Sequence, residues 1–263
     1  MDRFPNDPDA GLWQYQVGEA YFAAQMYQQA LDAYRQVIVR YPNHSSAPDA
    51  LYSIAACYGY LGQVDQVFAT YRELAEKYPD SQYAAEAFIS VGDQLYNESI
   101  GLEGDAQIAK LKEALSYYQR VLELENAGEQ ARATARQYIH DTAELLASLV
   151  YTQIETRFNE ALRNEDTAGI QQAIQDFEQL IRDYPTSSSA DIALTKIGDG
   201  YVALEQWDQA LEAYNRLMTK YVDPNTGRPI TPGDEYVDRA LRYAQQQYAE
   251  IYAYVQQLQG QGQ

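Results

Sequence analysis

Proline recurs at a fixed interval near the start of this chain, and that period limits the folds open to it. Pro5, Pro42 and Pro79 are 37 residues apart, and each directly follows an aromatic residue. Self-similarity at a period of about 20 to 50 residues is typical of tandem repeats, in which each unit buries its apolar face against its neighbours. The chain is therefore predicted to be an array of similar units.

Residues 11–47 contain one full period. Its second half carries apolar residues at three- and four-residue steps, which predict one face of a helix: Ala30, Leu31, Tyr34, Val37 and Ile38. Pro42 ends this helix, because proline cannot continue it and pushes Tyr41 toward an extended conformation. A first helix precedes it. The small residues Gly18 and Ala30 predict that the two helices cross closely there.

The pattern resembles the tetratricopeptide repeat, whose characteristic positions are occupied here by Val17-Gly18, Tyr21, Ala30, Tyr34 and Pro42. The resemblance implies an all-α fold, a right-handed α-α superhelical solenoid of tandem helix-turn-helix repeats. The usual period is about 34, and the extra residues fall in links such as Ser45-Ser46-Ala47. Such links are similar to those of bacterial cell-envelope tetratricopeptide proteins, including outer-membrane assembly lipoproteins and the Tol-system coordinator.

Residues 1–263 are predicted to form one solenoid of five units with a terminal helix. The units cover residues 11–47, 48–84, 85–127, 129–190 and 191–224, and a helix over 234–259 is expected to cap the array. The stretch at residues 2–10 resembles the end of another repeat, which predicts a fragment of a longer array.

Four segments depart from the repeat pattern. Residues 97–105 contain two glycines and no helical period, so they are predicted to be a loop or a lengthened helix end within an insertion of about ten residues. From Glu129 to Ala168 there is neither glycine nor proline, which favours one long helix over two helices with a kink near residues 148–152. Residues 223–233 are predicted to be non-helical, and the tail after Leu258 is expected to fray.

The chain is strongly acidic, with 38 Asp and Glu residues against 19 Lys and Arg and a formal net charge of -19. Nucleic acid is excluded as a partner class, because phosphate binding needs a basic surface. The acidity leaves two interpretations open: a groove that selects basic partners, or adaptation to high salt and solubility. No uninterrupted apolar run approaches the roughly 20 residues that a membrane-spanning helix needs.

No motif for catalysis or metal binding is present in the sequence. Cys57 is the one cysteine and lies in an apolar run, so it is predicted to be a buried small residue. His44 and His140 have no partners at metal-ligand spacing, and His140-Asp141 is expected to be an exposed pair on a helix. The segment after Asp223 resembles a calcium loop only in part, and a solvated turn is favoured. The chain is therefore predicted to be no enzyme and to use no cofactor.

The resemblance also implies a binding surface, because the first helices of tetratricopeptide units line a concave face that commonly binds an extended peptide or a partner's helix. Alignment places eight candidate partner-binding residues there: Tyr15, Glu19, Phe22, Tyr52, Tyr60, Asp93, Tyr96 and Asp199. Chaperone-binding members hold a peptide carboxylate with Lys, Asn and Arg at these positions, which are aromatic or acidic here. A protein or peptide partner with basic and apolar anchors is therefore predicted. The alternative is that the tyrosines only pack between neighbouring first helices.

These observations predict a non-enzymatic scaffold for protein–protein interaction in bacterial cell-envelope or secretion assembly. Two alternatives stay open: a regulatory or substrate-positioning segment of a larger enzyme, and a self-associating structural array. The resemblance of the links implies a periplasmic or cell-envelope location, and a cytoplasmic location is the alternative.

Overall fold

The computed structural model describes residues 7–261, which are organised almost entirely as α-helices. No β-strand occurs among them, and an isolated β-bridge joins Val222 to Pro229. The chain divides into two compact units, Met1–Thr142 and Ala143–Gln263, called unit 1 and unit 2 here. Residues 1–6, with much of the predicted repeat end at residues 2–10, lie outside the described residues.

Eleven helices follow one another along residues 7–261. Unit 1 contains α1 (Ala10–Ala23), α2 (Tyr27–Arg40), α3 (Ser46–Tyr60), α4 (Val64–Lys77), α5 (Ala84–Ser99), α6 (Gly104–Glu123) and the beginning of α7 (Glu129–Arg163). Unit 2 contains the rest of α7 with α8 (Thr167–Asp183), α9 (Ser188–Ala203), α10 (Trp207–Lys220) and α11 (Glu235–Gln261).

Successive helices pack against each other within each unit, as α1 does on α2, α3 on α4 and α9 on α10. The predicted all-α fold of tandem helix-turn-helix repeats is confirmed. The single array over residues 1–263 stays a prediction.

The turn inside four of the helical pairs has one backbone conformation. A residue in the left-handed region follows the first helix, with φ of 60° at Gln25, 71° at Gly62, 53° at Glu165 and 57° at Glu205. The amide after this residue bonds to a carbonyl five positions earlier, as Gln63 N does to Tyr58 O at 2.9 Å. This Schellman arrangement satisfies carbonyl groups that the end of a helix would otherwise leave without a partner.

Three glycines on first helices allow a tyrosine ring of the paired second helix to pack directly on the backbone. A Cβ atom at any of them would lie 2.3 to 2.5 Å from the ring, in the pairs Gly18–Tyr34, Gly92–Tyr118 and Gly198–Tyr214. Gly18 and Ala30 are both buried, in agreement with the prediction that small residues are needed where the two helices cross. The side chain that approaches Gly18 is the ring of Tyr34.

The helices that precede the repeated prolines end where the sequence predicts. α2, α4 and α8 each end two residues before proline, at Arg40, Lys77 and Asp183. The tyrosine between the helix and the proline has φ between −130° and −133°, as expected for a residue that proline pushes out of the helical region.

The insertion in the third helical pair lengthens both of its helices. α5 continues to Ser99, α6 begins at Gly104, and residues 100–103 alone connect them. Of the two alternatives for residues 97–105, the structure shows lengthened helix ends. The added length of α6 is used in packing, because Ile108 is buried there.

α7 contains 35 residues, ends at Arg163, and is continuous through residues 148–152. The predicted helix to Ala168 is therefore wrong at its end. Glu165 takes the left-handed conformation without being glycine, and the Asp166 carboxylate accepts a hydrogen bond of 3.0 Å from the Gly169 amide. Aspartate is a preferred N-cap residue, so it begins α8 where the sequence contains no proline or earlier glycine.

α11 closes unit 2 by packing on α9 and α10, at the position predicted for a capping helix. Its buried side chains join those of α9 and α10 in one core that contains Leu194, Tyr214, Leu217, Leu241 and Ile251. Helix α11 continues to Gln261, and the fraying expected after Leu258 stays a prediction.

Candidate partner-binding surface

The structure shows the surroundings of the cysteine and the two histidines that the sequence analysis considered as candidate chemical groups. Cys57 is fully buried, as predicted, and burial raises the pKa of its thiol to about 11. His44 Nδ1 accepts a hydrogen bond from the Ser46 amide at 3.0 Å, and its Nε2 donates to the Pro8 carbonyl at 3.1 Å. His140 is exposed on α7, as predicted. Across residues 7–261, no cluster of three or more His, Cys, Asp or Glu side chains could hold a metal ion.

The segment after Asp223 is the predicted turn. The Asp223 carboxylate accepts hydrogen bonds from the amides of Asn225 at 2.8 Å and Thr226 at 3.3 Å, and the bond from Asn225 lowers the pKa of this carboxyl. This is an Asx-type turn, which aspartate favours.

None of the helices in the described part of the chain is both long enough and apolar enough to cross a membrane.

Helices α1, α3 and α5 are the first helices of the pairs in unit 1. They carry seven of the eight predicted residues, and we call the surface that these form the first-helix surface: Tyr15, Glu19, Phe22, Tyr52, Tyr60, Asp93 and Tyr96. Contacts join α1 to α3, because the Tyr15 hydroxyl lies 3.3 Å from Ser53 Oγ and the rings of Phe22 and Tyr60 are 5.5 Å apart. The eighth residue, Asp199, lies on α9 in unit 2.

Tyr60 is the most exposed aromatic side chain of the first-helix surface, with 65% of the residue accessible. Its ring stacks on Tyr27 at a centroid distance of 4.7 Å and an interplanar angle of 3°. Phe22 contacts both rings edge-on. The Tyr60 ring is therefore held in position while much of it remains open to solvent.

Tyr52 makes internal contacts instead. Its ring stacks on Tyr83 at 4.3 Å, and its hydroxyl donates a hydrogen bond of 3.1 Å to Glu86 on α5. The Tyr83 hydroxyl donates to Asp49 at 2.9 Å, and burial raises the pKa of Tyr83 to about 12. These contacts are the packing between neighbouring first helices that the sequence left open as an alternative.

A glycine–acid–tyrosine arrangement occurs three times. The acid directly after each close-contact glycine accepts a hydrogen bond from the tyrosine that packs on that glycine, in the pairs Tyr34–Glu19, Tyr118–Asp93 and Tyr214–Asp199. The acid and the tyrosine are 15 residues apart in the first and third pairs and 25 apart in the second, which agrees with the predicted insertion. Each acid therefore orients a tyrosine, and its contact with a partner stays a prediction.

The Asp93 pocket lies between α5, α6 and α7 in unit 1 and has a volume of about 270 Å³. Its lining residues are Asp93, Tyr96, Asn97, Tyr118, Tyr138, Asp141 and Thr142. The rings of Tyr118 and Tyr138 are 5.1 Å apart and form one wall. Burial raises the pKa of Asp93, while the hydrogen bond of 2.8 Å from Tyr118 opposes that shift. No Lys or Arg is among the lining residues.

The Asp199 pocket lies between α7, α9 and α11 in unit 2 and has a volume of about 560 Å³. Its lining residues are Tyr151, Glu155, Ile192, Thr195, Lys196, Asp199, Tyr236, Arg239, Ala240 and Tyr243. Asp199 accepts hydrogen bonds from Tyr214 at 2.6 Å and from Tyr243 at 2.9 Å. Lys196 Nζ lies 3.1 Å from Glu155 Oε1. The carboxylates of this pocket therefore have hydroxyl or ammonium partners from unit 2 itself.

Sequence reasoning found part of each pocket. It predicted Asp93, Tyr96 and Asp199 but missed Tyr138 on α7 and Tyr243 on α11, the helices that follow the two pairs. The repeated spacing of 15 residues between acid and tyrosine could have identified the Tyr214–Asp199 pair. No signal identifies Tyr138, because α7 is longer than a repeat helix and its packing register depends on α5 and α6.

Comparison with known families supports the tetratricopeptide repeat assignment. The model of this repeat matches residues 14–44, 49–81, 166–187 and 193–223. These segments fall in the helical pairs α1–α2 and α3–α4, in α8, and in the pair α9–α10. The matched segments do not include α5 and α6, whose pair contains the insertion. No curated protein matches the chain.

Several solved structures resemble this chain at low sequence identity. MamA is 16% identical with a TM-score of 0.33, over 81% of this chain and 92% of MamA. A thermophilic tetratricopeptide protein from Thermus thermophilus is 16% identical with a TM-score of 0.32, over 93% and 100% of the two chains. The TPR2AB domain of yeast Sti1, in a complex with pHSP90, is 16% identical with a TM-score of 0.35, over 94% and 100%.

Proposed function

We propose, starting from the tetratricopeptide repeats in this chain, that it is a non-enzymatic scaffold that binds a segment of a partner protein on the first-helix surface. The observation that carries the proposal is Tyr60, whose ring is stacked on Tyr27 although 65% of the residue is exposed. Aromatic side chains held rigidly at a surface are typical anchors of protein interfaces, since little conformational freedom is lost on binding.

The charge of the chain supports a partner segment with basic and apolar residues. Glu19 and Asp93 lie on the first-helix surface, and the formal net charge is -19. Acidic surfaces attract basic partners over distance and speed their association, an effect that salt weakens. Leu12, 39% exposed on α1 in the same helical stripe, adds apolar area. The partner is therefore expected to bind faster at low ionic strength.

The biological setting that we propose is bacterial cell-envelope or secretion assembly. The support is the resemblance of the links after Pro42, Pro79 and Pro185 to those of envelope tetratricopeptide proteins. Fractionation of the source organism, with an antibody against this chain, tests the setting. Recovery with the envelope or periplasmic fraction is expected, and recovery with the cytoplasmic fraction alone contradicts it.

Site-specific photo-crosslinking tests the binding surface. A photoreactive benzoylphenylalanine replaces Tyr60 in one variant and Val39 in the other, since Val39 is 73% exposed but lies on the second helix α2. Partner adducts in the source organism are expected from position 60 and not from position 39. Identical adducts from both positions, or none from position 60, contradict the proposal.

Self-association is a second candidate, and α11 favours it. This helix exposes several large side chains, with Tyr236 at 67%, Tyr252 at 50%, Tyr254 at 46% and Leu258 at 45%. Pairing of these side chains between two chains would bury apolar area. Light scattering across a concentration series tests it: a rising molar mass supports self-association, and a constant monomer mass excludes it over that range.

A further inference from the structure

The acids of the Asp93 and Asp199 pockets have equivalent surroundings. Each acid follows a close-contact glycine, accepts a hydrogen bond from the tyrosine that packs on that glycine, and lies near a tyrosine from the helix that follows the pair: Asp93 with Tyr118 and Tyr138, and Asp199 with Tyr214 and Tyr243. Tyr118 lines the Asp93 pocket, whereas Tyr214 is not among the lining residues of the Asp199 pocket. The repeat has therefore produced the same carboxylate–aromatic arrangement in both units. The differences between the two pockets indicate what each can bind.

The first difference is how many donors the acid has. Asp199 accepts hydrogen bonds from two tyrosine hydroxyls. Among residues 7–261, Tyr118 alone donates a hydrogen bond to Asp93, and Tyr138 contacts the Tyr118 ring at 5.1 Å. A half-buried carboxylate can accept several hydrogen bonds, so Asp93 retains capacity for another donor.

The second difference is the presence of cations, because Lys196 and Arg239 both line the Asp199 pocket. The Asp199 pocket contains Lys196, three residues before its acid, and Lys196 pairs with Glu155 at 3.1 Å. The position three residues before Asp93 is Ser90. A second carboxylate in the Asp93 pocket, that of Asp141, receives a hydrogen bond of 2.8 Å from the neutral amide of Gln137. This pocket thus has two acids and no basic lining residue.

We propose that the Asp93 pocket binds one basic side chain, lysine or arginine, from the partner segment. This proposal rests on the proposed function, because it names the anchor by which that segment is held. The carboxylates of Asp93 and Asp141 supply the counter-charge, and the rings of Tyr96 and Tyr138, which are only partly buried, supply aromatic surface that attracts a cation. A volume of about 270 Å³ lies just below the usual range of small-molecule sites, so the pocket fits a single side chain.

A nuclear magnetic resonance titration of the whole chain tests this anchor. The probes are Nα-acetyl-lysine N-methylamide and its neutral analogue Nα-acetyl-norleucine N-methylamide, which has nearly the same shape without the ammonium group. The lysine probe is expected to cause saturable shifts of the Asp93, Tyr96 and Asp141 amides, with a dissociation constant of about 1 to 10 mM for so small a ligand. The neutral probe is expected to bind at least about tenfold more weakly. Equal binding of both probes, or no saturable shift with lysine, overturns the proposal.

A pair of charge-matched variants separates a local site from general attraction. Asp141→Asn removes one charge at the pocket and leaves the Tyr118–Asp93 hydrogen bond in place, whereas Asp208→Asn removes the same charge from an exposed position on α10. The lysine probe is expected to bind about three to ten times more weakly to the first variant and unchanged to the second. Equal weakening in both variants contradicts a site.

The two proposals fail separately. Lysine-specific shifts without any crosslink from position 60 would keep the basic-side-chain site and remove the first-helix surface around Tyr60. Crosslinks from position 60 without lysine-specific shifts would keep the scaffold and remove this anchor.

Discussion

The hydroxyl of Tyr214 donates a hydrogen bond of 2.6 Å to Asp199, the residue directly after the glycine on which the Tyr214 ring packs. Tyr243 on α11 donates to the same carboxylate oxygen at 2.9 Å. The Asp199 side chain therefore connects α9 to both α10 and α11. The ring contact requires glycine and the hydroxyl requires an acceptor, so two adjacent residues specify the position of one tyrosine.

The Gly198→Ala substitution is expected to destabilise the protein by about 1 to 3 kcal/mol, as overpacking of a core does. The new methyl group would lie 2.5 Å from the Tyr214 ring, which is fully buried and cannot move aside. Chemical denaturation followed by circular dichroism measures the change. Gly59→Ala is the matched control, because nothing lies within 4 Å of its added Cβ in helix α3. Alanine there is expected to stabilise the helix by up to about 1 kcal/mol, and loss of stability in both variants contradicts the contact argument.

The Tyr118→Phe substitution is expected to cost about 1 to 3 kcal/mol, because it removes a hydrogen bond to the half-buried carboxylate of Asp93. Tyr214→Phe is expected to cost less, since Tyr243 still donates to Asp199. The difference between the two unfolding free energies is the measurement. A larger loss for Tyr214→Phe contradicts the assignment of two donors to Asp199 and one to Asp93.

The turn after α3 gives a prediction about backbone strain rather than about packing. Gly62→Ala is expected to destabilise by about 1 to 2 kcal/mol, because Gly62 has φ of 71° and a side chain is strained in the left-handed region. No atom lies within 4 Å of the added Cβ, so the cost is conformational. Gln25→Gly, at the equivalent turn with φ of 60°, is expected to stabilise by up to about 1 kcal/mol. Thermal unfolding of the two variants is compared with the parent chain, and a stabilising Gly62→Ala contradicts the turn conformation.

Alkaline pH is expected to unfold the protein through its tyrosines. Burial is the main cause that raises the pKa of Tyr83 and Tyr243 to about 12, above the value of about 10 in an unfolded chain. A folded-state pKa above the unfolded one means that the unfolded chain loses its protons first. The stability from these tyrosines is therefore present below pH 10 and is lost as the pH rises toward 12.

Two signals measured together test this dependence: tyrosinate absorbance and helix content by circular dichroism. The tyrosinate absorbance of the tyrosines with raised pKa values is expected to appear together with the loss of helix, in one transition between pH 10 and pH 12. Full ionisation of all tyrosines near pH 10 with the helices intact is the contrary result.

Much of the fold follows from short stretches of sequence. Alternation of apolar residues at three and four positions predicts helices such as α2 and α10, and Pro42 ends α2 by its own geometry. Turns were less predictable. Glu165 and Glu205 adopt the left-handed conformation although glutamate does not favour it, because the packing of two helices imposes the turn. The end of α7 was therefore misplaced.

The candidate site was only partly predictable for a related reason. Asp93 and Asp199 were recognised from their place on first helices, since a repeat places equivalent residues in equivalent positions. Tyr138 and Asp141 reach the Asp93 pocket from α7, a helix that does not follow the repeat length. The positions of Tyr138 and Asp141 depend on how α7 packs on α5 and α6, and no local sequence pattern determines that alignment of the helices.

By itself, the sequence of this protein determined the period of the repeat, the helical pairs, and the small residues where paired helices cross, because each depends on neighbours along the chain. Tertiary structure decided which tyrosines are exposed, as Tyr60 is, and which are committed to hydrogen bonds, as Tyr214 is. It also decided that the Asp93 pocket has no basic lining residue whereas the Asp199 pocket contains Lys196. Exposure and charge balance at a pocket are sums over side chains from several helices, and packing alone brings those side chains together.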